Sequence, residues 1–320
     1  MTDKFYYFLE KTEKELEKEK FEGLPLNLYE PLNYIISLGG KRIRPVMVFT
    51  GNDIFSGNVE NAVSAAIASE FFHNFSLIHD DIMDKAPLRR GKTTVHCKWN
   101  NDTAILSGDL MLVKAYQILA ESDKIHLQDL LKIFSKTAAQ VCEGQQLDMN
   151  FETSQNVSEN EYLEMIKLKT SVLLGCSLQM GAITANAHKT ECEKIYNIGI
   201  NLGMGFQLMD DYLDTFGNPK LTGKQCGGDI ISAKKTLLYI IAAKNNKDFI
   251  KIINSSTIDN AEKIEKVKEI YINTKSDIYL KNLSQQYFES ALILLNELKT
   301  DESKKATLRY IVDLLQNRKN

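Results

Sequence analysis

Arginine is scarce: only six of the 39 basic residues are arginine, namely Arg42, Arg44, Arg89, Arg90, Arg309 and Arg318, and four of these form two tight pairs. Glycine (17) and proline (5) are also few, below their usual combined share of about 12%. Folds built from strands and turns need frequent punctuation, so this shortage favours long helices. The five cysteines, Cys97, Cys142, Cys176, Cys192 and Cys226, are odd in number and make no C-x-x-C. That pattern argues against a disulfide framework or a zinc site and for free thiols in a reducing cytoplasm. No run of eighteen apolar residues could span a membrane, and the first residues lack the apolar core of a signal peptide. The net charge of −3 supplies no global positive field for nucleic acid or an anionic membrane. Apolar residues at 43% and charged residues at 25% exclude a disordered, collagen-like or coiled-coil chain.

What is present is helical periodicity. Residues 5–21 predict a charged helix with a narrow stripe of Phe5, Leu9 and Leu16. Longer apolar-periodic segments predict helices near 44–55, 60–84, 102–121, 126–150, 160–186, 190–216, 234–245, 259–272, 276–298 and 303–317. Each proline (Pro25, Pro31, Pro45, Pro87, Pro219) is expected beside a helix boundary. No alternation of period two lasts long enough to predict a strand, and Asn-Gly and Asp-Gly turns are absent. The expected fold is all-α, a single helical domain over residues 1–320. One stretch breaks the pattern: the lysine- and glycine-rich segment from Gly217 to Lys235 is expected to be a mobile cationic loop.

Asp-Asp occurs twice, each time opening D-D-x-x-D: Asp80, Asp81, Asp84 and Asp210, Asp211, Asp214. On a helix, the first and last carboxylates of each motif lie one turn apart on one face and repel. A single such cluster could be a solvated face, but two on otherwise apolar helices call for compensating cations. The ligands are all oxygen, which suits magnesium rather than zinc. Magnesium takes one or two carboxylates and completes its shell with water and phosphate oxygens, so a diphosphate is the expected substrate class. The arginine pairs sit beside glycines, in Gly39-Gly40-Lys41-Arg42-Ile43-Arg44-Pro45 and Leu88-Arg89-Arg90-Gly91-Lys92. Arginine's planar fork matches phosphate oxygens as lysine cannot. Thr222-Gly223-Lys224-Gln225 is not a P-loop, since Asn218 and Gln225 replace the required residues and no strand precedes it.

Taken in order, seven segments resemble the trans-isoprenyl diphosphate synthase (polyprenyl synthase) family: 39–45, 73–84, 88–92, 144–148, Lys169-Thr170, 206–217 and 222–230, followed by Lys234. The resemblance implies an orthogonal helical bundle with a central cleft, a homodimer, and site roles that follow motif by motif. It implies transfer of an allylic diphosphate's prenyl group to isopentenyl diphosphate, with about three Mg2+ ions as cofactor. Asp80, Asp84 and Asp210 would ligate magnesium, with Asp81, Asp211 and Asp214 in support. Arg89, Lys169 and Lys224 would contact the allylic diphosphate, and Lys41, Arg44, His73 and Arg90 would hold isopentenyl diphosphate. Thr170 and Gln207 would turn oxygen dipoles toward the developing carbocation, Gln145 and Asp148 would line the cleft, and Lys234 would close over the metals.

The prenyl tail is expected to run toward the N-terminus of the helix that carries Asp80. Phe75 lies about 7.5 Å down that helix, Ser76 one residue nearer, and Phe71 and Phe72 roughly 12–14 Å down. Aromatics at those depths would limit the chain, and Ser76 in place of an aromatic favours a geranylgeranyl (C20) over a farnesyl (C15) product. A longer-chain synthase, a class I terpene cyclase and a regulatory subunit of a heteromeric synthase are the alternatives. The last two fit the two intact acidic motifs less well.

Overall fold

The computed structural model describes residues 2–217 and 227–317. Its helices are α1 Thr2–Lys18, α2 Leu26–Ser37, α3 Ile43–Ile54, α4 Val63–Met83, α5 Val95–Lys98, α6 Asn101–Leu119, α7 Lys124–Thr153 and α8 Glu159–Ile166. Then come α9 Val172–Thr184, α10 Lys189–Phe216, α11 Gly228–Ile231, α12 Leu237–Asn245, α13 Phe249–Ile253, α14 Asn260–Asn273, α15 Ser276–Asn296 and α16 Glu302–Gln316. A π-helical segment, Lys167–Ser171, joins α8 to α9. The expected all-α class holds, and the longer helices from residue 43 onward end within a few residues of the periodic pattern, except that the π segment interrupts 160–186 and the short α5, α11 and α13 are not expected from it. No helix among the described residues is long and apolar enough to cross a membrane. Cys97, Cys142, Cys176 and Cys192 are free thiols.

Three local expectations are corrected. Pro31 lies inside α2 and is buried there, rather than at a helix end. It stands in the second turn, where the missing N–H forfeits one early intrahelical bond. In α1 the buried stripe is Phe5, Phe8, Thr12 and Leu16, with Leu9 only half-buried. Phe8 completes the helical spacing and stacks on Phe49 of α3 at 5.7 Å. A two-stranded antiparallel ribbon also exists, pairing Leu88 with Thr93 and Arg89 with Lys92. Its turn is Arg90-Gly91, both with positive φ (53° and 73°), the requirement of a two-residue type I′ hairpin normally met by Asn-Gly.

The described chain divides into two compact units. The first comprises Met1–Thr137, Leu173–Tyr196 and Leu298–Tyr310; the second comprises Ala138–Val172, Asn197–Glu297 and Ile311–Asn320. In the first unit α4 runs along α6 and also packs on α3. An aromatic series, Tyr116–Phe134–Phe72–Phe75, fills part of this core with ring centroids 5.1–5.5 Å apart. The core of the second unit gathers Phe151, Tyr162, Leu208, Leu237, Phe249 and Tyr271.

Arg42 belongs to this framework rather than to a binding surface. It is the residue before α3, left-handed at φ 46°, and its side chain is 2% exposed. Its Nε donates to Glu13 at 3.0 Å, Nη1 to Glu70 at 2.7 Å and Nη2 to the Ile36 carbonyl at 2.9 Å. Every edge of the guanidinium is thereby occupied. Glu70, equally buried, also accepts from Asn74 at 3.1 Å. Arg42→Met is expected to destabilise the fold by about 3–5 kcal/mol, because it leaves Glu70 as an uncompensated buried charge. A thermal melt checks this: the midpoint should fall by about 4–7 °C.

Candidate active site

The first acidic motif closes α4. Asp80 is half-buried, Asp81 is 1% exposed and Asp84 is exposed at the helix end. Arg89, presented by the first strand of the hairpin, forks onto Asp81: its Nε and Nη2 lie 2.8 and 2.7 Å from Oδ1, with Nη2 also 3.5 Å from Asp80. Burial alone would raise the Asp81 carboxyl, and it remains raised despite Arg89. The other oxygen of Asp81 is buried with no hydrogen-bond partner.

The cationic set sits nearby in the same unit. Arg90, at the hairpin turn, donates to the Gly39 carbonyl, and its guanidinium lies against Gly40, where a Cβ would come within 2.8 Å of Nη2. Only glycine allows that approach. Burial pushes the Arg44 guanidinium down to about 10, with Arg90 pushing the same way and Glu70 opposing. Its Nε is buried and unpartnered. Burial, then Arg44 and Arg90, hold His73 well below the usual histidine range. Three of the four residues expected to hold one anion, Arg44, His73 and Arg90, are therefore neighbours, and Lys41 is exposed on the adjoining loop. Arg44 and Arg90 raise each other's cost of burial while Glu70 opposes it, an arrangement that suits an anion.

In the second unit, Asp210 and Asp214 are half-buried on α10 and Asp211 is 6% exposed. Asp211 accepts from the Tyr162 hydroxyl and from Gln207 Nε2 at 3.0 Å. Gln207 Oε1 in turn accepts from Thr170 Oγ1 at 3.0 Å. Burial pushes the Asp211 carboxyl up, with the Tyr162 and Gln207 donors pulling it back. Asp214 accepts from the Asp229 amide at 2.9 Å. Asp148 pairs with Lys169 at 2.6 Å and Lys234 at 3.8 Å. Burial would raise its carboxyl, but Lys234 and Lys169 outweigh that and hold it below the ordinary value. Gln145 Nε2 is buried with no partner. Lys224 lies outside the described residues, as do residues 218–226 of the expected cationic loop, whereas Gly228–Ile231 of that stretch is the helix α11.

Lys169 and Thr170 both lie in the π-helical segment, a wider turn that re-aims side chains and often marks functional sites. Two helices hold it closely. A Cβ on Gly144 of α7 would meet Lys169 N at 2.2 Å, and one on Gly203 of α10 would meet Ser171 Cα at 2.5 Å. Backbone contact at that range requires glycine.

The comparisons with known proteins come down on one family. Residues 25–273 match the family described as "Polyprenyl synthetase". The chain belongs to that family. The chain is 36% identical over 300 residues to the geranylgeranyl diphosphate synthase of Methanosarcina mazei, covering 92% of this chain and 90% of that protein. It is 37% identical over 302 residues to the synthase of the same name from Saccharolobus solfataricus, covering 91% of each. A crystal structure of a geranylgeranyl pyrophosphate synthase superposes with a TM-score of 0.94 at 44% identity, covering 99% of both chains.

Seen as a polyprenyl synthetase, the chain places its expected chain-length residues on two faces of α4. Phe75 and Phe72 stack at 5.5 Å, and Phe72 continues to Phe134. Phe71 instead meets Phe21 at 5.2 Å, and the Ser76 hydroxyl donates to the His73 carbonyl at 2.8 Å. Sequence reasoning missed Tyr162 and Asp229. A tyrosine on an apolar helix face must find a partner for its hydroxyl, which was the available signal for Tyr162. Asp229 stood inside a quoted motif but without a second acidic residue beside it.

Among the described residues no three His, Cys, Asp or Glu side chains gather into a ready-made metal centre. An all-carboxylate set whose members lean on arginine, lysine and amide donors nonetheless fits magnesium, which needs few protein ligands when phosphate oxygens supply the rest. His73 yields a pH prediction. Its folded-state value lies below the ordinary 6.5, so below that pH the unfolded chain binds more protons and stability falls with falling pH. The contribution is at most about 1.4 kcal/mol per pH unit. Denaturant titrations of His73→Gln between pH 5 and 7 should show a shallower loss than the parent protein.

Proposed function

We propose that the chain is a short-chain prenyltransferase that condenses isopentenyl diphosphate with dimethylallyl, geranyl or farnesyl diphosphate, releasing pyrophosphate and giving geranylgeranyl diphosphate, with farnesyl diphosphate as the alternative product. The observation that carries it is the likeness over more than nine-tenths of the chain to synthases named for the C20 product. The chain acts as one synthase domain. The resemblance alone carries the homodimer, and the free thiols suit a cytoplasmic location.

The roles follow from charge and geometry. Asp80, Asp84 and Asp210, supported by Asp214, would hold Mg2+ on the allylic diphosphate; when bound, the metal neutralises the charge that collects on the departing pyrophosphate. Three ions per site are what the family resemblance implies. By the family resemblance, Arg89, Lys169 and Lys224 would add positive charge to the leaving group. Arg44, His73, Arg90 and Lys41 bind isopentenyl diphosphate and fix its double bond for attack. The allylic carbon–oxygen bond breaks with its electron pair leaving on pyrophosphate. The isopentenyl double bond then supplies electrons to the allylic carbon, and a proton leaves to a pyrophosphate oxygen. Thr170 and Gln207 oppose the transient positive charge with oxygen lone pairs. Lys234 and the segment before it would exclude water from the cation.

Purified protein with Mg2+ and each allylic primer tests this reading. Radiolabelled isopentenyl diphosphate should enter a C20 or C15 alcohol after phosphatase treatment. No consumption of isopentenyl diphosphate, or hydrocarbon formed from the allylic substrate alone, contradicts it. Phe75→Ala should lengthen the product distribution, and Phe72→Ala combined with it should lengthen it further, since Phe72 stands directly behind. Unchanged chromatographic product lengths in folded variants would count against the aromatic floor.

A further inference from the structure

The second aspartate of each acidic motif is buried and turned onto a protein donor. Asp81 carries Arg89, whereas Asp211 has both carboxylate oxygens occupied, one by Tyr162 and one by Gln207. A carboxylate offers only acceptors. The Gln207 amide must therefore show its NH2 group to Asp211, which leaves Oε1 on the side of Thr170. Thr170 spends its only hydroxyl proton on that Oε1 at 3.0 Å, so its own oxygen keeps only acceptor capacity.

We propose that Tyr162 and Asp211 are positioning residues that lock the Gln207 amide by way of the chain Tyr162–Asp211–Gln207–Thr170, so that the oxygens of Gln207 and Thr170 are preset toward the carbocation. Nothing in the motif pattern assigns Tyr162, and the pattern by itself groups Asp211 with the metal ligands. The scaffold supports a rigid role. Tyr162 is 1% exposed and lies in the core of its unit. It sits on the first turn of α8, whose start is fixed by a capping box in which the Ser158 hydroxyl accepts from the Glu161 amide and the Glu161 carboxylate accepts from the Ser158 amide. Asp211 and Gln207 are four residues apart on α10, so one helical turn aligns them. Thr170 comes from the π segment held by Gly144 and Gly203. Three different elements, α8, α10 and the π segment, fix the members of the chain, so the amide orientation does not depend on substrate.

The inference rests on the prenyltransferase reading, and the experiment separates the two. Tyr162→Phe keeps the ring in the core and removes only the donor; Asp211→Asn keeps the volume and removes the acceptor-only character. Both should lower kcat by roughly 10- to 100-fold, with KM for isopentenyl diphosphate unchanged. The rate ratio between a natural allylic diphosphate and its ring-free vinyl-fluorinated analogue should widen, because fluorine penalises a cation that has lost oxygen support. Calorimetric affinity for inorganic pyrophosphate with Mg2+ should stay within about twofold of the parent, and melting points confirm that both variants fold. Parent-like kcat and fluorine ratio in Tyr162→Phe would overturn the proposal. So would a parallel loss of Mg2+–pyrophosphate affinity in Asp211→Asn, which would make Asp211 a metal ligand. A parent protein that consumes no isopentenyl diphosphate would instead sink the underlying reading.

Discussion

Carboxylates packed one turn apart on apolar helices repel, and the structure around both acidic motifs is organised by that repulsion. Each motif buries its second aspartate and gives it a donor: Arg89 for Asp81, Tyr162 and Gln207 for Asp211. Asp148 is compensated by Lys169 and Lys234. Burial drives the Asp81 and Asp211 carboxyls toward neutrality, and the donors oppose that drive. The outer aspartates are left less buried, where a divalent cation and phosphate oxygens can take over the neutralising role.

The cationic half obeys the same rule with the sign reversed. Arg44, Arg90 and His73 crowd together, and Glu70 is the buried carboxylate among them. Glu70 is already committed to Arg42 at 2.7 Å. The cluster therefore retains surplus positive potential, while the Arg42 anchor keeps its backbone rigid. The net charge of −3 does not argue against small polyanions, because local clustering, not the global balance, sets the potential at a site.

Much of this was legible in the sequence, and the gaps have physical causes. The longer helices from α3 onward follow from their apolar content and spacing, whereas the short α5, α11 and α13 hold too few residues to show a period. The helix α2 was missed because Pro25 and Pro31 read as breakers, although one precedes the helix and the other sits early inside it. The ribbon at residues 88–93 has strands too short to show a period, and its turn uses Arg90 at a left-handed position that asparagine usually fills. A π segment shares its residue pattern with an α-helix, so the special turn at Lys169 and Thr170 leaves no sequence mark beyond the glycines that pack on it. The carboxylates were visible as clusters, but not which oxygen each would turn inward, since that depends on partners distant in sequence such as Tyr162.

If the proposed function holds, the acidic clusters take up a metal and a diphosphate together, not either alone. Melting the protein with Mg2+, with pyrophosphate, and with both tests it most directly. At about 100 times the dissociation constant, linked binding adds roughly 2.7 kcal/mol, so the pair should raise the midpoint by about 4 °C, with little change from either component. An equal shift from pyrophosphate without Mg2+, or no shift from the pair, would contradict the account.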